Sequence, residues 1–209
     1  TLSIVLTEFN NPIFYDRLLP LGRLREPVNA IYRADMVVVT KCPEQLKALE
    51  YRIFKNNLKL FPYQKLFFSR YNYAPLTPLF PDEQPDKLFV NWLTERDTVL
   101  LIAGIANPKP LIRYIKESRA QVKVKSFPDH HNFTRKDMDG LLEKFNELEG
   151  DRKYIITTEK DAVRLTNNPY FPHELKNRIY YQPIKVKFDP LNAEPFDIEV
   201  QKVLLNAVK

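Results

Sequence analysis

The sequence predicts an α/β protein with a mostly parallel sheet and flanking helices. Strand-like and helix-like stretches alternate along the chain, which is the pattern of parallel strands joined by crossover helices. Helix-start signals follow several of the apolar runs directly. The loops between them are therefore expected at the carboxyl edge of the sheet, where open α/β sheets bind ligands.

In the first third of the chain, the sequence predicts three strands, with one helix between the second and the third. Strands are predicted at residues 2–6, 36–39 and 66–71, where apolar and branched residues run together. A helix is predicted from residue 43 to about residue 56. Its apolar face is predicted to comprise Leu46, Leu49, Ile53 and Phe54, which recur at helical spacing.

A proline-rich passage divides this part from the rest, with prolines at positions 75, 78, 81 and 85. This density excludes a regular helix and indicates a connector or an edge segment. Beyond it, strands are predicted at residues 98–103, 121–127, 154–157 and 179–188. Helices are predicted at residues 108–118, 134–148, 158–166 and 196–208.

Three of these helices begin at recognisable caps. Thr134 and Thr158 are each followed three residues later by an aspartate, which fits a capping box with Asp137 and Asp161. Asn107 precedes Pro108, which fits a cap followed by proline at the first helical position.

Composition excludes several classes of protein. No apolar run approaches the roughly 20 residues of a membrane-spanning helix. The single cysteine, Cys42, excludes an internal disulfide and a cysteine-based zinc site. The formal net charge of +6 suggests an anionic partner. Because the basic residues are dispersed, charge alone does not choose among nucleic acid, a phosphorylated ligand and an acidic membrane surface.

Residues 18–27, Leu-Leu-Pro-Leu-Gly-Arg-Leu-Arg-Glu-Pro, form the first loop that could carry chemistry. Two prolines and a glycine hold a non-helical path from which Arg23, Arg25 and Glu26 project. A guanidinium group suits phosphate recognition. The alternative is an arginine–glutamate pair on the surface of a rigid turn.

Two further loops lie between a strand and a helix. Residues 103–108, Ala-Gly-Ile-Ala-Asn-Pro, precede a helix N-terminus that could hold an anion, although the spacing of a P-loop is absent. Taken alone, this signal is weak, and ordinary turn chemistry is the favoured explanation of the loop. In residues 157–162, Lys160 lies unfavourably in the first turn of a helix, which hints at an anionic neighbour.

Residues 127–133, Phe-Pro-Asp-His-His-Asn-Phe, form the most informative loop, because it holds two of only three histidines and follows a strand. An imidazole could relay a proton or hold a phosphate oxygen, and Asp129 could set its tautomer. In an extended backbone His130 and His131 would point to opposite sides. A metal site would need ligands that the nearby sequence does not offer. The alternative is a capped turn with a satisfied histidine.

Together, these four segments resemble the C-terminal half of the tetraacyldisaccharide 4'-kinase family. LLPLGRLREP matches the family's LLPxGxLREP, AGIANP matches AGIxNP, FPDHHNFT matches FPDHHxFT, and TTEKDAVRL matches TEKDAVR/K. The opening, SIVLTEFNNPIFYDRLLP, is similar to the stretch that follows the family's DDGFQH motif.

The resemblance implies transfer of the ATP γ-phosphate to the 4'-hydroxyl of a tetraacylated disaccharide 1-phosphate. It implies a lipid A precursor as partner, with no nucleic acid, and a peripheral place on the cytoplasmic face of the bacterial inner membrane. Residues 1–40 are expected to end a P-loop kinase domain, and residues 41–209 to form a smaller α/β domain. ATP and Mg²⁺ would be held mainly by a P-loop part that precedes Thr1 in the family. The chain alone is therefore expected to be inactive.

The matched motifs also imply site residues. His130, with His131 as the less favoured choice, is expected to assist the family's catalytic base, and Asp129 to orient it. Arg25 and Glu26 are expected to bind substrate, with Asn107 and Lys160 as looser candidates. No metal ligand is expected.

Two alternatives stay open from the residues themselves. One is a non-catalytic α/β module that binds an anionic ligand or nucleic acid through its basic surface. The other is a structural α/β domain that docks on a partner supplying the P-loop.

Overall fold

The computed structural model describes residues 1–189 and 195–206, and the chain divides into two compact units. The first unit comprises Thr1–Asn72 with Lys185–Lys209, and the second comprises Tyr73–Ile184. This division differs from the predicted boundary at residue 40. The strand that begins at residue 65 pairs with the strand that begins at residue 36, so both belong to one sheet.

Within the described residues, the strands are β1 (Ile4–Glu8), β2 (Met36–Thr40), β3 (Lys65–Tyr73), β4 (Thr77–Pro78), β5 (Asp97–Ala103), β6 (Gln121–Ser126), β7 (Arg152–Thr158), β8 (Ile179–Gln182) and β9 (Ile184–Phe188). The α-helices are α1 (Ala48–Leu58), α2 (Lys109–Lys116), α3 (Arg135–Asn146), α4 (Glu159–Thr166) and α5 (Phe196–Asn206). Short 3₁₀ helices cover Ile13–Tyr15, Val28–Arg33, Val90–Trp92 and His173–Arg178.

The first unit is built on a sheet with strand order β1-β2-β3-β9, in which β1, β2 and β3 are parallel. Both faces of β2 are buried. Val37 and Val39 belong to a core that includes Phe54 of α1, whereas Met36 and Val38 belong to the opposite core. A strand covered on both faces reads as a continuous apolar run, which is why residues 36–39 predict it correctly.

Helix α1 begins later than predicted, at Ala48 rather than residue 43. The Glu50 carboxylate accepts the backbone N–H of Lys47 at 2.8 Å, which satisfies a donor at the helix start. The predicted apolar face is wrong in part, because Leu49 is 67% exposed and Ile53 is 39% exposed. The buried stripe instead follows Phe54 and Leu58, one turn apart.

The second unit has a sheet with strand order β4-β8-β7-β5-β6. Strands β6, β5, β7 and β8 are parallel to their neighbours, and β4 pairs antiparallel with β8 at the edge. Pro78 lies in β4, so the proline-rich passage supplies an edge segment as predicted. Leu100 and Ile102 of β5 belong to one core, and Val99 and Leu101 belong to the core on the other face.

The predicted strand at residues 179–188 is two strands in two different sheets. β8 belongs to the second unit's sheet and β9 to the first unit's sheet, with Pro183 between them. Proline lacks the N–H that a continuous ladder would need at that point. The predicted final helix is present as α5, and its last predicted residues, 207 and 208, lie outside the described residues.

The predicted α/β class, with mostly parallel strands and flanking helices, is confirmed. No helix among the described residues is both long and apolar enough to cross a membrane. For function, the important feature is that β5 lies between β6 and β7 in the second unit. The loops that follow these three strands therefore leave the sheet at one edge.

Candidate functional site

Three of the four singled-out loops meet at the carboxyl edge of the second unit's sheet. Ala103, at the end of β5, pairs in register with Ser126, at the end of β6. Ile102, one residue earlier on β5, pairs with Thr157 near the end of β7. The loops that begin at Gly104 and Phe127, and the start of α4, are consequently neighbours in space.

The loop after β6 is a tight turn rather than an extended segment. His130 has a φ of 61°, in the left-handed region, which is uncommon for a residue with a side chain. The Asp129 carboxylate accepts the His130 backbone N–H at 3.0 Å, and the Pro128 carbonyl accepts the His131 N–H at 3.2 Å. These bonds hold the turn that separates the two histidine rings.

The His131 ring is held in place by contacts with neighbouring side chains. Its Nε2 lies 2.9 Å from Oδ2 of Asp137, in the first turn of α3. Its ring stacks on Phe127 with centroids 4.8 Å apart and meets Phe133 edge-on at 5.3 Å. This ring is packed and hydrogen-bonded, so it matches the alternative of a satisfied histidine in a capped turn.

His130 instead faces a polar cluster, and its side chain is 70% exposed. Lys160 Nζ lies 3.2 Å from its Nε2, and Arg164 Nη2 lies 3.2 Å from its Nδ1. Lys160 also donates to Oδ1 of Asp129 at 3.0 Å. The anionic neighbour predicted for Lys160 is therefore Asp129, and three of the predicted site residues share one cluster.

Asp161 lies beneath this cluster, and its side chain is fully buried. Its Oδ2 accepts the Gly104 N–H at 2.8 Å and the Thr158 hydroxyl at 2.7 Å, and its Oδ1 lies 3.4 Å from Arg164 Nη1. The predicted cap at Thr158 is confirmed, because its Oγ1 accepts the Asp161 N–H. The Asp161 carboxylate, however, bonds the loop after β5 rather than the cap's own backbone.

The predicted cap of α3 is also present, whereas α2 begins at Lys109 with Pro108, rather than the predicted Asn107, in the capping position. Thr134 and Asp137 form the reciprocal capping box of α3. Burial opposes ionisation of Asp137, but hydrogen bonds from Thr134 and His131 outweigh it and lower the pKa of Asp137 to about 2. Asn107 is exposed, and its Oδ1 accepts the Lys109 N–H at 3.2 Å at the start of α2.

The charges around His130 are arranged in pairs. A hydrogen bond from Lys160 lowers the pKa of Asp129 below its usual value, so this carboxylate is ionised at neutral pH. Arg164 is paired in the same way with the buried Asp161. Sequence reasoning singled out the segment around Lys160 but missed Arg164. The available signal was spacing, because Arg164 follows Lys160 by four residues and so lies on the same helix face.

Arg25 and Glu26 belong to the first unit, whereas the other four predicted site residues belong to the second. Their loop is held by Asp16, whose carboxylate accepts the backbone N–H groups of Arg17 and Arg23 at 2.8 and 3.1 Å. Those two backbone hydrogen bonds are the main reason why the pKa of Asp16 lies below its usual value.

Gly22 permits the close packing of this loop, because a Cβ at that position would overlap the carbonyl oxygen of Arg17. Glu26 is ion-paired with Arg33. Arg25 is exposed, and its side chain makes no hydrogen bond or ion pair within the part of the chain that the structure describes. The Arg25 guanidinium is therefore available to bind a ligand, whereas the Glu26 carboxylate is already paired with Arg33.

The described segments, 1–189 and 195–206, contain no group of three or more His, Cys, Asp or Glu side chains that could hold a metal. The P-loop spacing GxxxxGK[ST] is absent from all 209 residues.

The fold and the loop cluster define an α/β protein with a polar site around one exposed histidine at the carboxyl edge of a parallel sheet. The sequence profile of the LpxK family, described as tetraacyldisaccharide-1-P 4'-kinase, matches residues 1–204. The chain belongs to this family, as its four motifs predicted.

The chain is similar to curated relatives from several bacteria. It is 43% identical over 192 residues to the tetraacyldisaccharide 4'-kinase of Bacteroides thetaiotaomicron, covering 89% of this chain and 50% of that protein. It is 43% identical over 190 residues to the enzyme of the same name from Porphyromonas gingivalis, covering 89% of this chain and 51% of the relative. The chain therefore spans about half the length of these relatives.

A solved structure supports the fold. The crystal structure of the LpxK of Aquifex aeolicus in complex with ATP matches with a TM-score of 0.58 and 21% sequence identity. The match covers 98% of this chain and 52% of the Aquifex aeolicus chain. At this level of identity the likeness concerns the fold.

Proposed function

We propose that this chain supplies the histidine-bearing part of a tetraacyldisaccharide 4'-kinase. The proposed reaction is the transfer of the γ-phosphate of ATP to the 4'-hydroxyl of a tetraacylated glucosamine disaccharide 1-phosphate, a lipid A precursor. Membership of the family and the shared name of the curated relatives support this activity. The single observation that carries the role of this chain is the convergence of Asp129, His130 and Lys160 at one sheet edge.

His130 is proposed to assist proton removal from the attacking sugar hydroxyl. An imidazole can assist by donating its N–H to the group that removes the proton, or by taking part in the proton transfer itself. The exposed position of the His130 ring leaves it accessible to a substrate group, whereas the His131 ring is engaged with Asp137. Asp129 holds the backbone of the turn and lies beside the His130 ring.

Arg25, Asn107 and Lys160 are proposed to contact the substrate. A free guanidinium binds a phosphate oxygen through charge-assisted hydrogen bonds, which suits Arg25. Glu26 is proposed to act in the same loop through its pairing with Arg33, which braces the turn that carries Arg25.

ATP and Mg²⁺ are proposed to be held by a P-loop part outside these 209 residues. Phosphoryl transfer depends mainly on positioning and charge stabilisation by such groups. The proposed domain assignment is that the sheet of the first unit belongs with that P-loop part. The lipid substrate also supports a peripheral location on the cytoplasmic face of the inner membrane as part of this proposal.

The test is a phosphoryl-transfer assay on the protein encoded by the complete reading frame that contains this sequence. Radiolabelled γ-phosphate should appear at the 4' position of the lipid substrate, and the 209-residue chain alone should show no turnover. A complete protein that fails to phosphorylate the lipid would contradict the proposal. Salt-sensitive binding of nucleic acid without a nucleotide requirement would favour the non-catalytic alternative, which the family membership does not favour.

A further inference from the structure

Both ring nitrogens of His130 lie beside a cation. Lys160 Nζ is 3.2 Å from Nε2, and Arg164 Nη2 is 3.2 Å from Nδ1. Lysine and arginine side chains only donate hydrogen bonds, and a neutral imidazole has one accepting nitrogen. Only one of the two contacts can therefore be a hydrogen bond at any time, and the two cations favour opposite tautomers of the ring.

Arg164 is the better-held of the two cations. Its Nη1 lies 3.4 Å from Oδ1 of Asp161, and the Asp161 side chain is fully buried. Asp161 is in turn fastened by the Gly104 N–H at 2.8 Å and the Thr158 hydroxyl at 2.7 Å. Loss of a donor would leave part of this buried carboxylate without a hydrogen bond, which costs free energy. Asp161 therefore holds the Arg164 guanidinium in place.

Lys160 has more freedom and a second acceptor. Its side chain is 43% exposed, compared with 25% for Arg164, and its ammonium group is carried on a flexible four-carbon chain. It donates to Oδ1 of Asp129 at 3.0 Å, so it does not depend on the His130 ring. The other oxygen of Asp129, Oδ2, lies 3.7 Å from Nε2 of His130.

We infer that Arg164 is a positioning residue that sets the tautomer of His130. It donates to Nδ1, so the neutral ring carries its hydrogen on Nε2, beside the Asp129 carboxylate. Asp161 transmits this restraint from the loop after β5 to the ring. The inference rests on the proposed function for its effect on turnover, whereas the tautomer itself is a property of this chain.

The experiment measures the tautomer directly by long-range ¹H–¹⁵N correlation in the 209-residue chain with ¹⁵N-labelled histidine, at mildly alkaline pH. The sequence has three histidines, His130, His131 and His173, so the spectrum is simple. His130→Gln assigns the His130 signals. His131 is the internal reference, because its Nε2 lies 2.9 Å from Asp137 and its tautomer should stay the same in every variant.

The expected wild-type ring of His130 carries hydrogen on Nε2. In Arg164→Met, Lys160 is free to donate to Nε2, so the hydrogen should move to Nδ1 in a large fraction of molecules. Lys160→Met is the matched control and should leave the hydrogen on Nε2. If Arg164→Met does not fold, Arg164→Gln replaces it. Glutamine keeps a polar group near Asp161 but is too short to reach Nδ1 of His130.

The inference is overturned by a wild-type His130 ring that carries its hydrogen on Nδ1, a result that needs no variant. It is also overturned if the tautomer is the same in wild type and the Arg164 variants. In the complete protein, Arg164→Met should lower kcat on the order of tenfold or more with little change in KM. The expected tautomer in a protein without kinase activity would keep the inference and reject the proposed function.

Discussion

The buried carboxylate of Asp161 accepts a hydrogen bond from the backbone N–H of Gly104 at 2.8 Å, across 57 residues of sequence. Gly104 follows β5, and Asp161 lies in the first turn of α4. The contact therefore joins two of the loops that form the candidate site. It also leaves little space, since a Cβ on Gly104 would lie 3.1 Å from Oδ1 of Asp161 and 3.4 Å from the Pro128 carbonyl oxygen.

Gly104→Ala should destabilise the protein by about 1–3 kcal/mol, because the added methyl group would press on a carboxylate that is held on several sides. The same substitution should displace Asp161 and with it Arg164. Urea unfolding of the 209-residue chain, followed by circular dichroism, measures the change in the free energy of unfolding.

Gly140→Ala is the matched control for that substitution. Gly140 lies inside α3, and the nearest atom to an added Cβ would be Nζ of Lys125 at 3.5 Å, which is an ordinary contact with a flexible side chain. Alanine should stabilise this helix by about 0.5–1 kcal/mol. If both substitutions changed the free energy of unfolding in the same direction, the difference in packing between the two sites would be contradicted.

The Asp137 carboxylate should contribute to stability in a pH-dependent way. Its pKa is about 2 in the folded protein and about 3.9 in an unfolded chain. A carboxylate with a depressed folded pKa stabilises above its unfolded pKa, and this stabilisation is lost as the pH falls through the folded pKa. The contribution should be complete above about pH 5 and should disappear between about pH 4 and pH 2.

Asp137→Asn tests this pH dependence. The variant should be less stable than wild type by about 1–2 kcal/mol at neutral pH, as expected for loss of an N-cap partner and its charged hydrogen bonds. The difference in the free energy of unfolding between the two proteins should become smaller as the pH is lowered. Urea unfolding at successively lower pH measures it. A constant difference from pH 7 to pH 2.5 would show that ionisation of Asp137 does not matter.

Much of the fold could be predicted because its signals are local. The strand at residues 36–39 is a continuous apolar run buried on both faces, and Thr134 caps α3 with a partner three residues away. The split at Pro183 could not be predicted with equal ease. Residues 179–188 look like one strand by composition, and their membership of two sheets depends on partners that are distant in sequence.

Three residues of the candidate site could be identified from the sequence, but its contacts could not. The motifs identified His130, Asp129 and Lys160, and the structure brings these three together. Arg164 was missed because it meets His130 across 34 residues of sequence, and only the neighbouring positions of β6 and β7 beside β5 create that contact. Asp161 looked like a capping residue, and nothing local indicates that its carboxylate would bond the loop after β5.

Arg25→Ala should weaken the handling of phosphorylated substrate without affecting the fold. The Arg25 side chain is exposed and makes no hydrogen bond or ion pair among the described residues, so its removal should change stability by less than about 0.5 kcal/mol. In the complete protein, KM for the lipid should rise about tenfold, which corresponds to about 1.4 kcal/mol of binding free energy.

Arg23→Ala is the comparison for the Arg25 variant. Arg23 is also exposed, but its guanidinium donates to Asp16 at 2.8 Å, so its role is local. Its loss should leave KM for the lipid close to the wild-type value. Normal saturation and normal rate in Arg25→Ala, measured beside Arg23→Ala, would remove Arg25 from the substrate site.

The two adjacent histidines should separate cleanly into one that serves turnover and one that serves stability. His130 is 70% exposed and faces the polar cluster, so His130→Ala should lower the free energy of unfolding by no more than about 1 kcal/mol, most of it because alanine suits the positive φ less well than histidine. In the complete protein it should lower kcat by about a hundredfold, the scale expected when a proton-transfer group is lost.

His131→Ala should have the opposite profile. It removes the ring that packs on Phe127 and bonds Asp137, so about 1–2 kcal/mol of stability should be lost. Turnover per folded molecule should change much less than in His130→Ala. Kinase assays at a temperature where both variants are folded, combined with urea unfolding, measure both quantities. Because the two residues are adjacent, a general disturbance of the loop would affect both variants alike, and such a result would reject the separate roles that their contacts define.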